Sequence, residues 1–156
     1  MHKILKTLLA ALIVSATSSA ALAQQAPKPE QIIKWRQSAY QVLAWNTGRI
    51  KNNVEGTYNK DEVIRAANTI AAIANSGLGA LYPAGTETGK GWRETTVRPE
   101  LFTDGARAGE AARKFNVEAN ELAKLAASGD AAAVKTQFGK LNQTCKGCHD
   151  DFRKKD

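Results

Sequence analysis

Residues 130–152 read DAAAVKTQFGKLNQTCKGCHDDF and contain the clearest helical pattern of the chain. Six positions in this stretch are spaced by three or four residues: Val134, Phe138, Leu141, Cys145, Cys148 and Phe152. Residues at that spacing share one face of an α-helix, and the side chain of Asp130 can cap the first turn. The stretch therefore predicts a helix that follows Asp130 and carries both cysteines on its buried face.

Three earlier stretches also show helical periodicity, and helix-breaking residues separate them. Their predicted bounds are Pro29 to Gly56, Asn59 to residues 75–77, and Thr103 or Asp104 to residues 128–129. The buried faces predicted from them include Ile33, Leu43, Ala44 and Ile50 in the first helix and Ala112 and Leu122 in the third. Residues 77–102 are rich in glycine and proline and are predicted to be irregular. Short links within two helix pairs predict an all-α, antiparallel up-down-up-down four-helix bundle.

The first 23 residues have the pattern of an export signal. Lys3 and Lys6 precede an apolar stretch, and Ala21-Leu22-Ala23 forms a small-residue cleavage site. The apolar stretch is too short to span a bilayer. We therefore expect residues 1–23 to be a cleaved signal peptide, residues 24–156 to form a single four-helix-bundle domain, and the protein to be periplasmic.

The composition is that of a globular protein, with 43% apolar and 24% charged residues in a chain of 156. The net charge of +7 falls to +5 without the signal, because that segment holds two lysines and no acidic residue. No basic block interleaved with aromatic residues appears, which argues against nucleic-acid binding. The mature chain keeps one histidine, His149, and no methionine.

The sequence Cys145-Lys146-Gly147-Cys148-His149 is the pattern of covalent haem attachment. In that chemistry two thiols add to the haem vinyl groups, and the imidazole of the next residue binds the iron. Helix positions i, i+3 and i+4 can reach one flat ring from a single turn. The motif predicts one haem c, attached through Cys145 and Cys148, with His149 as the iron ligand.

Other uses of these side chains compete with haem. A zinc site needs four ligands, so Asp150 or Asp151 would have to complete it. A thioredoxin-like pair would need a βαβ context, and an iron–sulfur cluster normally takes four cysteines. A disulfide would close only one helical turn and stabilise little. The export signal, the pentapeptide and the lack of further cysteines together favour haem.

The second axial position of the iron has no obvious ligand in the mature chain. Electron-transfer cytochromes usually fill this position with methionine or a second histidine, and neither is present. A lysine, a tyrosine or the α-amine would first have to lose a proton. We therefore expect five-coordinate, high-spin iron that is open to small neutral gases such as NO and CO.

Five stretches of the chain, taken together, resemble one known family. They are residues 28–30, 34–40, 81–86, 98–102 and 145–153, which read KPE, KWRQSAY, LYPAGT, RPELF and CKGCHDDFR. These stretches resemble the cytochrome c′ family, the class II c-type cytochromes, which carry the haem motif near the end of the fourth helix. The resemblance covers nearly all of the mature chain.

The resemblance implies that two tyrosines lie at the haem. Tyr40 stands where the family places the side chain that covers the open face of the haem, and its hydroxyl can hinder a ligand or donate to it. An ordinary core tyrosine is the alternative. Tyr82 matches an aromatic residue that packs on the ring, or else packs on the core.

The resemblance also implies polar contacts around the haem. Arg36, Gln37 and Thr96 match positions near the haem propionates, although the family often has an acidic residue where this chain has Thr96. Arg153 matches a basic residue beside the imidazole of His149. Each of these side chains could instead lie on a solvated surface.

Two functions are consistent with these observations. The first is a protein that binds NO and related diatomic gases as a carrier or buffer. The second is a one-electron carrier in a respiratory or denitrification chain, with a redox partner protein. An enzyme is disfavoured because no second histidine is available for acid–base catalysis. The family also implies a homodimer formed through the first two helices, with Trp45 as an anchor if it faces outward.

Overall fold

Four long helices and two short helical segments make up the part of the chain that is described. The computed structural model describes residues 26–155, so the predicted signal peptide lies outside them. Its helices are α1 (Pro29–Glu55), α2 (Lys60–Ala74), α3 (Glu100–Thr103), α4 (Gly105–Ser128) and α5 (Ala131–Phe152), with a 3-10 turn at Leu78–Leu81. Residues 26–155 contain two isolated β-bridges and no strand, and none of their helices is long and apolar enough to cross a membrane. The all-α prediction is confirmed.

The helix that carries the cysteine motif begins at the predicted cap. The Asp130 carboxylate accepts hydrogen bonds from the N–H groups of Ala132 at 2.9 Å and Ala133 at 3.0 Å. These bonds satisfy two of the free N–H groups that every helix start leaves. At the start of α4 the cap is Asp104, because Thr103 belongs to the short helix α3.

The four long helices pack as a bundle, as predicted, in the order α1, α2, α4, α5. Their apolar faces form one core, whose fully enclosed members include Ile50, Val63, Ile70, Leu122 and Val134. Helix α1 also meets α5, but over a smaller area than the other neighbours share. The loop that follows α2, residues 75–99, lies against α1 and against the C-terminal end of α5. The cysteine motif therefore lies on α5 where the loop and α1 approach it.

Three residues predicted to lie on the buried faces of helices are exposed, Tyr40 and Ala44 on α1 and Ala112 on α4. On α1 the buried positions Ile33, Leu43 and Ile50 cover one arc of the helix, and Ala44 lies beyond its edge at 100° per residue. The predicted stripe was too wide because helices touch their neighbours over only part of their circumference. Both cysteines keep the predicted face but are half-buried.

Candidate haem site

One turn near the end of α5 presents Cys145, Cys148 and His149 together; both cysteines are half-buried and His149 is exposed. Both thiols are free, and burial raises the pKa of each, so the protonated thiol is favoured at neutral pH. Burial also lowers the pKa of His149, and the positive charge of Arg153 lowers it further. The imidazole is therefore held neutral, which is the form that binds a metal ion.

Two tyrosines from different elements meet opposite this turn. The Tyr82 hydroxyl donates to the Tyr40 hydroxyl at 3.0 Å. Burial raises the pKa of Tyr40, the bond from Tyr82 lowers it, and the nearby sulfurs of Cys148 and Cys145 raise it further. Tyr40 therefore lies within electrostatic range of both cysteines. Helix α1 and the loop thus bring two phenols to the cysteine side of α5.

Arg36 is buried, with 2% of its surface exposed, and it joins α1 to the loop. Its Nη1 donates to the Leu81 carbonyl at 3.1 Å and to Thr86 Oγ1 at 3.3 Å. Its Nη2 donates to the Thr86 carbonyl at 3.0 Å and to Thr95 Oγ1 at 3.1 Å. The guanidinium also lies over the Tyr82 ring, 4.5 Å from its centre. A solvated surface position for Arg36 is thereby ruled out.

Gln37 fastens a second part of the loop to α1. Its Nε2 donates to the Arg93 carbonyl at 2.8 Å, and its Oε1 accepts from the Trp92 N–H at 2.7 Å. The Trp92 indole N–H reaches Ser38 Oγ at 2.9 Å. A Cβ on Gly91 would lie 2.7 Å from Gln37 Oε1 and 2.8 Å from the backbone nitrogen of Lys34. The close approach of loop and helix therefore requires glycine here.

The last part of the loop pairs with the chain that follows α5. The Lys154 N–H donates to the Thr96 carbonyl at 2.8 Å, and the Arg98 N–H donates to the Phe152 carbonyl at 2.8 Å. These bonds flank an antiparallel bridge between Val97 and Arg153. Thr96 is thus placed at the cysteine end of α5 by its backbone.

The predicted site residues are brought to one end of the molecule, in three connected groups. The cysteine turn and Arg153 form the first, and Tyr40, Tyr82 and Arg36 form the second. Gln37 and Thr96 belong to the third, where residues 92–96 of the loop are attached to α1 and to the end of α5. Sequence reasoning missed Thr86, which is 1% exposed, and Thr95. No local signal could have found them, because they lie 50 and 59 positions from the arginine they bind.

The donor set suits haem better than zinc. Two adjacent protonated thiols and one neutral imidazole match the groups that haem c requires. Within residues 26–155, no three side chains from among histidine, cysteine, aspartate and glutamate are grouped closely enough to hold a metal ion. Asp150 instead pairs with Lys146, and Asp151 pairs with Arg107 at 3.0 Å. The carboxylates that a zinc site would need are thus engaged elsewhere.

Comparison with known proteins points to the same chemistry. A family model described as Cytochrome C' matches residues 31–153. A cytochrome c′ from Rhodocyclus tenuis is 69% identical over 130 residues, which cover 83% of this chain and 98% of the relative. A cytochrome c′ from Allochromatium vinosum is 46% identical over 155 residues, 99% of this chain and 100% of the relative.

Solved structures agree with these sequence matches. A cytochrome c′ described as having ligand-controlled dimer dissociation is 50% identical and superposes with a TM-score of 0.80, over 83% of this chain and 98% of that chain. The nitric oxide complex of a variant cytochrome c′ from Alcaligenes xylosoxidans is 29% identical with a TM-score of 0.74, over 83% and 98% of the two chains. A carbon monoxide complex of another variant of that protein has a TM-score of 0.73 at 29% identity, over 82% and 98% of the two chains. This chain therefore belongs to the cytochrome c′ family, whose members bind haem c.

Proposed function

We propose that this protein is a periplasmic haem protein that binds NO and CO and acts as a carrier or buffer of NO. The observation that carries the proposal is the joint placement of Cys145, Cys148 and His149 on one helical turn, within electrostatic range of the Tyr40 hydroxyl. The NO and CO complexes of the Alcaligenes xylosoxidans relative support the ligand class.

The cysteine turn supplies the groups that would hold the haem. Cys145 and Cys148 would form the two thioether bonds, and His149 would offer a neutral imidazole to the iron. A bound haem supplies an iron atom that can take a diatomic gas on its other face. Arg153 lies on the His149 side, where its charge discourages protonation of the imidazole.

The residues from α1 and the loop would complete the pocket. Tyr40 would cover the haem face opposite His149, and Tyr82, whose hydroxyl meets that of Tyr40, would lie beside it. Arg36, Gln37 and Thr96 stand near the propionates in this proposal. A guanidinium forms charge-assisted bonds with carboxylates, and the buried Arg36 is not paired with a carboxylate among the described hydrogen bonds and ion pairs.

Optical spectra test this proposal directly. The protein would be matured in a periplasm that contains haem-attachment machinery, then measured ferric, reduced, and reduced under CO or NO. We expect broad high-spin bands that change when either gas is added. Sharp low-spin bands that neither gas alters would overturn the ligand-binding function. Cys145→Ser is expected to lower the yield of covalently bound haem, and Lys146→Ser serves as its matched control.

Export is part of the proposal and needs its own experiment. The Allochromatium vinosum relative aligns over 155 residues, so the match extends through the predicted signal peptide. Mass spectrometry of the exported protein should show a chain that begins at Gln24. Recovery of the intact chain from the cytoplasmic fraction would contradict the periplasmic location.

One-electron transfer is the second candidate, and the surroundings of His149 favour it. His149 borders an open cleft of about 270 Å³ that is also lined by Asp150, Arg153, Lys154 and Lys155. An imidazole close to the surface gives a partner protein a short path to the iron. Reduction by a membrane donor at a rate that rises as ionic strength falls would support this function, because three of the lining side chains are cationic.

Self-association through α1 is also proposed. Trp35, Val42 and Trp45 are 46%, 40% and 64% exposed and lie along one side of the helix. Val42 is two residues from Tyr40, so the two side chains point to nearly opposite sides. The ligand-controlled dimer of a relative supports a dimer here. Analytical ultracentrifugation should detect it, and a monomer at high concentration would contradict it.

A further inference from the structure

We infer that Tyr82 is a positioning residue that holds Tyr40 over the gas-binding face. This inference rests on the proposed function. Its basis is the hydroxyl pair at 3.0 Å, together with the unequal support that the two rings receive.

The Tyr82 ring is fixed from several sides. The Arg36 guanidinium lies over its face at 4.5 Å, and the edge of Phe102 approaches at a centroid distance of 6.1 Å and an angle of 61°. Arg36 also binds the carbonyl of Leu81, the residue before Tyr82. The Tyr82 N–H donates to the Gly79 carbonyl at 3.1 Å. Both the backbone and the ring of Tyr82 are therefore held in place.

The Tyr40 ring receives less support. It projects from α1 with 39% of its surface exposed. Among residues 26–155, the described hydrogen bond to its side chain comes from Tyr82. A side chain held mainly by one bond can swing when that bond breaks, so Tyr82 controls how closely Tyr40 covers the face.

The hydroxyl pair also leaves one donor unused. Each phenol has one proton, and the single bond between the two phenols uses one of the two protons. The other O–H of the pair remains available to a bound gas. Tyr82 thus fixes the position of the Tyr40 hydroxyl and ring.

Tyr82→Phe tests the inference in haem-loaded protein, because it removes the hydroxyl and keeps the ring that Arg36 and Phe102 contact. Opening the wild-type face costs one net hydrogen bond, so we expect CO to associate about fivefold faster in the variant. Tyr58→Phe is the matched control, since the Tyr58 hydroxyl is buried without a partner in the described structure. We expect it to leave CO binding unchanged.

A double-mutant cycle separates positioning from general loosening. If Tyr82 acts through Tyr40, then Tyr82→Phe should have no effect on CO association when Tyr40→Phe is already present. In ligand-free protein, the tyrosine Fermi doublet of Tyr40 in the ultraviolet resonance Raman spectrum should change from that of an acceptor to that of a non-acceptor. Urea unfolding of both single variants reports whether the fold is intact.

The outcomes distinguish this inference from the proposed function. Wild-type protein that does not bind CO overturns the proposed function, and the Raman doublet then still tests the hydroxyl bond. Wild-type protein that binds CO, with Tyr82→Phe within twofold of it, overturns the positioning role. An effect of Tyr82→Phe that persists in the Tyr40→Phe background also overturns it.

Discussion

Gly91→Ala is expected to detach the central loop from α1. The added Cβ would lie 2.7 Å from Gln37 Oε1, 2.8 Å from the Lys34 backbone nitrogen and 2.9 Å from Ile33 Cγ2. Carbon atoms normally rest about 3.5 Å or more from such neighbours, so the loop would have to retreat by roughly 0.7 Å. The Lys34 nitrogen is part of the α1 backbone and cannot move aside alone.

The retreat sets the magnitude of the effect. Gln37 binds the Trp92 N–H at 2.7 Å and the Arg93 carbonyl at 2.8 Å, and both distances would pass the range of a good hydrogen bond. Two lost bonds cost about 2 kcal/mol. Alanine also lowers the conformational entropy of the unfolded chain, which stabilises the folded state by about 0.5 kcal/mol. We expect a net loss of about 1 to 2 kcal/mol in the free energy of unfolding.

Urea unfolding measures the loss, with Gly79→Ala as the matched control. A Cβ on Gly79 meets nothing within 4 Å, so the control should change stability by less than about 0.5 kcal/mol. Trypsin should also cut after Lys90 and Arg93 faster in Gly91→Ala than in the control, because the loop is released. Equal stability and equal cleavage in the two variants would refute this account of the loop.

Three other predictions concern stability, pH and assembly. Arg36→Lys should lower the unfolding free energy by about 2 kcal/mol in urea titrations, because one ammonium cannot reach the four acceptors that the guanidinium binds. Hydrogen bonds from Asn53 and Arg49 lower the pKa of Glu62 below its ordinary 4.5, so the stability it contributes is present above pH 4.5 and is lost as pH falls through the lowered pKa. Glu62→Gln should therefore have a lower free energy of unfolding than wild type at pH 7. Urea unfolding repeated at lower pH values should show this difference becoming smaller as Glu62 is protonated. Val42→Glu should weaken the proposed dimer at least tenfold in analytical ultracentrifugation, because it places like charges opposite one another across a symmetric interface.

A specific experimental result would contradict each of these predictions. If Arg36→Lys is as stable as wild type, then a positive charge at this position is enough to hold the loop, and the planar guanidinium with its several N–H donors is not needed. A gap between Glu62→Gln and wild type that stays constant down to low pH would show that Glu62 is not the titrating group. Unchanged association of Val42→Glu, with Lys51→Glu as the exposed control on the same helix, would move the interface elsewhere.

The helices were predictable because their signals are local. Pro29 begins α1, and the Asn59 side chain accepts from the Glu62 N–H at 3.0 Å at the start of α2, as the capping pattern predicts. The cysteine turn was predictable for the same reason, because the haem-attachment pattern consists of five consecutive residues, 145–149. Gly129, with a φ of 82°, ends α4 where the sequence placed the stop.

The arrangement of the loop was not predictable from the sequence. Its order depends on contacts between residues far apart in the chain, such as the 42 positions that separate Tyr40 from Tyr82. Residues 77–102 have no periodic pattern to indicate which side chains turn inward, and Thr86 looks like any other loop threonine. The family resemblance identified Tyr40 and Tyr82 as important, whereas the bond between them is visible only in the structure.

The loop is fastened to α1 at Gln37 and, a few residues later, to the end of α5 through the bridge between Val97 and Arg153. These are the two long helices that share little direct packing, so the loop acts as a spacer that sets their separation. The number of residues from Arg93 to Thr96 then limits how far α1 can lie from the cysteine end of α5. A chain with more or fewer residues between these two points of attachment would hold the two helices at a different separation, while the apolar core of the bundle stays the same.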